Sequence, residues 1–203
     1  YHNSILPLPD QQRYSANHTT MSDSHDEAVE KLCLLLASIA EDDCQQSKLD
    51  AYQILVNQNI EQLIDPLIDK LAMSNPSPYP YLYVYLKKLI TDSHDRGPVQ
   101  AAIALIGLIP HIEDLPLLET MCLHAEFTPF SIMAIENICQ DSTSILWDLC
   151  KKSNGIPRIT LVQKLIGIND VIDDWIIRQG YLSLPASLVF DYYRASRGLL
   201  LEL

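Results

Sequence analysis

Glycine is scarce, with six in 203 residues. So few argue against a loop-rich fold. The phosphate-cradling glycine loop, the strained nucleophile turn and the His-Glu-x-x-His zinc helix are all missing. The five cysteines, Cys33, Cys44, Cys122, Cys139 and Cys150, form no Cys-x-x-Cys pair and cannot all pair with one another. Most sit inside apolar patterns, so buried reduced thiols and a reducing, cytoplasmic setting are expected. No apolar run approaches the ~18 residues of a membrane span. The first residues lack a basic stretch followed by an apolar core, so no secretory signal is expected.

Positive charge is also short. Lysine and arginine number 14 against 26 acidic residues, a formal net charge of −12. The acidity is spread along the chain rather than gathered in a tail. Such a surface repels phosphate backbones, which disfavours nucleic acid as a partner. It suits a basic protein partner, or it serves solubility alone.

What is present is apolar content, 48% of residues, in helical rhythm. Residues 1–21 are polar, broken by Pro7 and Pro9, and read as a flexible arm or an expression remnant outside the fold. Residues 22–203 read as one domain. Val29, Leu32, Cys33 and Leu36 recur at three- and four-residue steps, the period of an amphipathic helix over about 26–40. A second helix follows from Ser47. A third spans Ile60–Met73, and Pro66 inside it is expected to kink or restart it. The Tyr79, Tyr81, Tyr83, Tyr85 alternation fits a strand, but Pro80 at a tolerated first-turn position favours a helix burying Leu82, Leu86, Leu89 and Ile90. In that helix Tyr81 and Tyr85 would stack one turn apart.

Residues 97–197 carry a repeat. Pro98, Pro129, Pro157 and Pro185 each open an apolar run, at spacings of 31, 28 and 28 residues. The expected units pair Pro98–Ile109 with Leu115–Ala125, Pro129–Cys139 with Ser142–Lys152, and Pro157–Ile168 with Val171–Gln179. Trp147 and Trp175 both fall 18 residues after their unit's proline, which implies equivalent packing sites. The helix from Pro98 is apolar nearly all round and requires neighbours on several sides. After Gly198, Leu199–Leu203 is apolar; it either folds back as a cap or leads into further chain.

Paired helices of about 30 residues, a proline at the first helix's start and an Asp or Asn in the turn (Asn59, Asp114, Asp141, Asn169-Asp170) resemble the HEAT-like repeat family. The resemblance implies an all-α fold, a right-handed α-solenoid of roughly five to six stacked antiparallel helix pairs. It also implies that second helices line an inner surface. Repeats of this kind identify an architecture, not an activity. The function expected is a non-catalytic scaffold that binds a basic protein on that surface, with no cofactor, metal or catalytic residue. The alternatives are an immunity-type inhibitor of a basic toxin, or a HEAT-like enzyme of DNA glycosylase or lyase type.

The candidate partner-binding residues are Tyr81, Tyr83, Tyr85, Glu119, Asp148 and Asp174. Tyrosine suits an interface because it offers area and a hydroxyl together. Asp170, Asp173 and Asp174 open a helix, where carboxylates stabilise the positive end of the dipole by about 0.3–1 kcal/mol each. His111, Glu113, Asp114, Cys122 and His124 have ligand chemistry. The i, i+2 placement of Cys122 and His124 points them apart, however, against a shared metal.

Overall fold

The computed structural model describes residues 11–73, 80–109, 111–182 and 184–196, with side chains from residue 26 onward. Expectations for residues 1–10, the 74–79 loop with Tyr79, Gly198 and Leu199–Leu203 lie outside the described residues. Among the described residues the chain is all-helical and contains no strand. The helices are α1 (Gln11–Asp42), α2 (Gln45–Asn57), α3 (Ile60–Met73), α4 (Pro80–Asp92), α5 (Arg96–Ile106) and α6 (Leu115–Cys122). There follow α7 (Thr128–Ile138), α8 (Ser142–Lys152), α9 (Ile156–Leu165), α10 (Asp170–Arg178) and α11 (Val189–Ala195). Short 3-10 turns, Ile112–Asp114 and Ala186–Leu188, lead into α6 and α11.

Local chemistry accounts for most helix starts. Pro129 and Pro157 occupy the first turns of α7 and α9, where a missing N–H costs nothing. Three of the turn residues tie down free N–H groups at helix starts. Asn59 Oδ1 accepts from Glu61 N at 3.1 Å, Asp141 Oδ1 from Ser144 N at 3.5 Å, and Asn169 Oδ1 from Ile172 N at 3.0 Å. Asp114 is the exception: its carboxylate turns inward. Two expectations are revised. Pro66 does not restart α3, which runs through it; the proline lies on the exposed face. And α1 reaches back to Gln11, where the polar sequence carries no apolar period to reveal a helix.

The tyrosine stretch is α4. Leu82, Leu86, Leu89 and Ile90 are buried as expected, and Tyr85 joins them. Tyr81 stays exposed, so the two rings part instead of stacking.

The buried residues form one continuous core from Val29 to Ala195. At its centre lies α5, in which every residue from Pro98 to Ile106 is buried. It is covered by α2, α3, α4 and α7, the several-sided cover its composition demands. Beyond it α7 packs on α5, α9 on α7, and α11 on α9. Three even helices pack most extensively on the odd helix that follows: α4 on α5, α6 on α7 and α8 on α9, whereas α2 packs chiefly on α1. The close pairs are thus offset by one helix from the units drawn in the sequence. Connection length does not decide this, since the 139–141 turn between α7 and α8 is as short as the 93–95 turn between α4 and α5, yet α7 packs little on α8.

Gly97 fixes a close backbone approach in this core. A Cβ there would stand 2.3 Å from the Leu55 carbonyl oxygen of α2 and 3.4 Å from Ile60. Alanine in a helix gains up to about 1 kcal/mol over glycine, but backbone overlap of this kind exceeds that gain. Gly97→Ala is therefore expected to destabilise the protein by about 2 kcal/mol, measured by urea unfolding. A neutral or stabilising result would mean that α2 and α5 separate freely.

Candidate protein-binding face

Trp147 on α8 and Trp175 on α10 meet edge to face, centroids 4.9 Å apart at 89°. Positions equivalent in the repeat thus touch each other. An edge-to-face pair of this kind contributes about 0.5–1.5 kcal/mol beyond its buried area. Cations flank both rings: Lys151 Nζ lies 5.0 Å from the Trp147 centroid, and the Arg158 guanidinium 5.7 Å from that of Trp175. Arg158 is structural. It is buried and donates to the backbone oxygens of Gly180, Lys151 and Ser153.

Beside the tryptophans a cleft of about 540 Å³ opens between the starts of α8 and α10. Trp147 and Ile172 supply apolar wall, Asp141 and Asp170 exposed carboxylates, and Val171, 73% exposed, an apolar rim. No lysine or arginine lines it. Comparison with protein-family models, curated proteins and solved structures finds no match for this chain. The cleft therefore has to be read from its own chemistry. Two carboxylates around an indole suit a cationic side chain with an aliphatic stem.

The sequence-selected residues divide. Asp148 and Asp174 each adjoin a tryptophan and are exposed, but both hold local cations: Lys151 Nζ at 2.7 Å from Asp148 and Arg178 Nε at 2.5 Å from Asp174. The Lys151 ammonium holds the Asp148 carboxyl below its usual range. Glu119 on α6 is half-buried and makes no ion pair among the described residues. The tyrosines belong to α4, against α1 and α5, and do not line the cleft. Tyr85 is removed from the exposed set, since it is buried and donates its hydroxyl to the Lys48 carbonyl at 3.0 Å. Burial pushes its hydroxyl well above the usual range. Tyr81 is 47% exposed and remains available for contact.

Tyr83 is half-buried and leads to a network the sequence did not reveal. Its hydroxyl donates to Asp114 Oδ1 at 3.0 Å, and its ring lies 4.4 Å from His111. Lys87 Nζ, one turn along α4, donates to the same oxygen at 2.6 Å. Burial, then the Asp114 carboxylate, pushes the Tyr83 hydroxyl up to about 12. Asp114 is 1% exposed, and no hydrogen bond reaches its Oδ2. His111 and Asp114 thus tie the turn before α6 to α4. Cys122 is buried and His124 exposed, so this pair faces two environments. Among the described residues no three His, Cys, Asp or Glu side chains converge as a metal site.

All five cysteines are free. Burial pushes the Cys122 and Cys150 thiols up to about 12, which makes them unreactive. Cys44, just before α2, differs: the Ser47 side chain and then its backbone amide pull that thiol below its usual value.

Proposed function

We propose that this chain is a HEAT-like α-solenoid working as a non-catalytic scaffold for a basic protein partner. The successive packing of α5, α7, α9 and α11 supports the stacked architecture, as does the contact of the two repeat-equivalent tryptophans. The second helices α6, α8 and α10 would line its inner surface, carrying Glu119, Asp148 and Asp174. The single observation that carries the function is the Trp147 cleft, with Asp141 and Asp170 at its mouth and no cation of its own. Net charge of −12 would steer a basic partner towards it. Cytoplasmic residence is part of the proposal, supported by the free thiols. No helix among the described residues is long and apolar enough to cross a membrane.

The test is affinity capture from native cell extract, comparing the wild type with Asp141→Lys/Asp170→Lys and with Asp148→Lys/Asp174→Lys. Basic proteins should bind the wild type, elute at about 0.5 M salt, and be lost from the first variant. The second variant should bind more weakly and with a shallower salt dependence. Equal recovery by wild type and both variants would sink the reading. Binding of duplex DNA in a low-salt gel shift would favour the glycosylase-type alternative instead.

A further inference from the structure

A groove of about 320 Å³ lies between α2 and α4 and shares no residue with the Trp147 cleft. Both helices pack on α1 and on α5 but scarcely on each other, which leaves the gap between them open. Buried Tyr85 and Leu89 and half-buried Tyr52 line it. Two hydroxyls hold its shape. Tyr85 donates from α4 to the Lys48 carbonyl of α2 at 3.0 Å. Tyr52 donates from α2 to Asp95 Oδ2, just beyond α4, at 2.5 Å. The groove is therefore preformed at two levels along α2. Leu49 on α2 and Val84 on α4 both line it, and both are 60% exposed. A single exposed aliphatic side chain is ordinary. One from each wall of the same tied groove gives both walls an apolar edge.

The charge here runs against the rest of the chain. Lys48 and Lys88 line the groove against one carboxylate, Asp92, an excess of one positive charge with His94 neutral. The whole chain carries −12. Over residues 80–91, α4 contains no acidic residue. Lys48 is half-buried and already pairs with Asp43. Lys88 is exposed and makes no ion pair among the described residues. An ammonium without a counter-charge, beside two uncovered aliphatic side chains, complements a ligand that is apolar and anionic together.

We infer that this groove receives an amphipathic helix of a protein partner, whose apolar side covers Leu49 and Val84 and whose carboxylate meets Lys88. A helix suits the gap because its own backbone groups are satisfied internally. An extended segment would need an unpaired sheet edge, and the described residues contain no strand. The backbones of α2 and α4 are likewise spent within each helix, so recognition falls to side chains. Leucine-type residues three and four positions apart would pack between the Leu49 and Val84 walls as the ridges of one helix pack into the grooves of another. The groove prefers the opposite charge from the Trp147 cleft, so the inference does not rest on the basic partner proposed there.

The test uses the full chain and a capped helical peptide of about 16 residues, with leucines three and four positions apart and glutamates beside them. Binding is read by NMR on the Leu49 and Val84 methyl groups and by fluorescence anisotropy. The expected result is saturable shifts of both sets of methyls, with a Kd on the order of tens of micromolar. A scrambled peptide of the same composition should bind at least about tenfold more weakly, since its leucines no longer share one side. Leu49→Gln/Val84→Gln, both at exposed positions, should weaken binding about tenfold, with a melting temperature unchanged within about 2 °C. Lys88→Glu should weaken the glutamate peptide about fivefold and favour a version with lysine in place of glutamate. The inference is overturned if the methyls do not shift, if the scrambled peptide binds as well, or if either variant binds as the wild type does. Methyl shifts that follow protein concentration without peptide would give the groove to a second copy of the chain and overturn it too. NOEs to the Val84 methyls from residues 1–10, 74–79 or 197–203 would give it to the chain itself, with the same consequence. Capture of basic proteins is a separate measurement, so failure of the peptide with that capture intact removes this groove alone.

Discussion

Replacing Lys87 with methionine is expected to lower the unfolding free energy by about 3 kcal/mol. Asp114 is 1% exposed, and its only cation among the described residues is Lys87, at 2.6 Å. Methionine keeps most of the stem's packing on α4 but leaves a buried carboxylate with the Tyr83 hydroxyl as its remaining donor. Stranding an anion costs more than the intact pair contributes, because desolvation of the survivor is no longer offset. A third of the Lys87 side chain reaches water, which sets the loss at the lower end of the range for buried pairs. Urea unfolding measures it, with an unchanged m-value expected. Adding Asp114→Asn should recover at least half of the loss, since the neutral amide needs no counter-ion. A loss below about 1 kcal/mol, or no recovery in the double variant, would show that water reaches Asp114 and that the pair is not a tie between α4 and α6.

Arg158→Met is expected to cost about as much, roughly 3 kcal/mol, by a different route. The guanidinium donates to the Lys151 and Ser153 carbonyls, which close α8, and to the Gly180 carbonyl beyond α10. It therefore binds the ends of two helices to α9. Removing it leaves carbonyl oxygens of Ser153 and Gly180 buried without that donor, at about 1–3 kcal/mol each. Tyr192 makes a parallel tie, donating from α11 to the Ile176 carbonyl at 2.9 Å, so the damage should concentrate in α10 and α11. For a chain of this size the melting temperature should fall by about 6–12 °C, and amides of α10 and α11 should exchange faster than those of α5. Arg158→Lys should rescue little, because an ammonium cannot reach carbonyls on two sides as the planar fork does. Full stability in the lysine variant would reduce Arg158 to a single packing contact.

The same two sites mark how far the sequence could be read. Each helix needs only its own period of apolar residues, so the helices from residue 26 onward, the turn residues Asn59, Asp141 and Asn169, and the all-round burial of α5 were legible. The likeness of Trp147 and Trp175 was legible too, because it is a spacing. Tyr85 was not, since alternation along 79–86 says nothing about which ring finds the Lys48 carbonyl. Nor were Lys87 and Arg158, which look like ordinary surface charges until their partners are known.

By itself the sequence determined that this protein is helical, that its helices are amphipathic or wholly apolar, and that it carries an excess of negative charge. Those are properties of neighbouring residues along the chain, and short-range sterics and hydrophobic period suffice to set them. Tertiary structure alone decided that α6 pairs with α7 more than with α5, that Asp114 turns inward to Lys87, and that the Gln100 amide donates to the Glu126 carbonyl. Each depends on groups 26 residues or more apart in the chain, or on which helix lies beside which. A local pattern gives each helix a buried side but not the neighbour that covers it. That choice is made by packing and by the need of each buried polar atom for a partner.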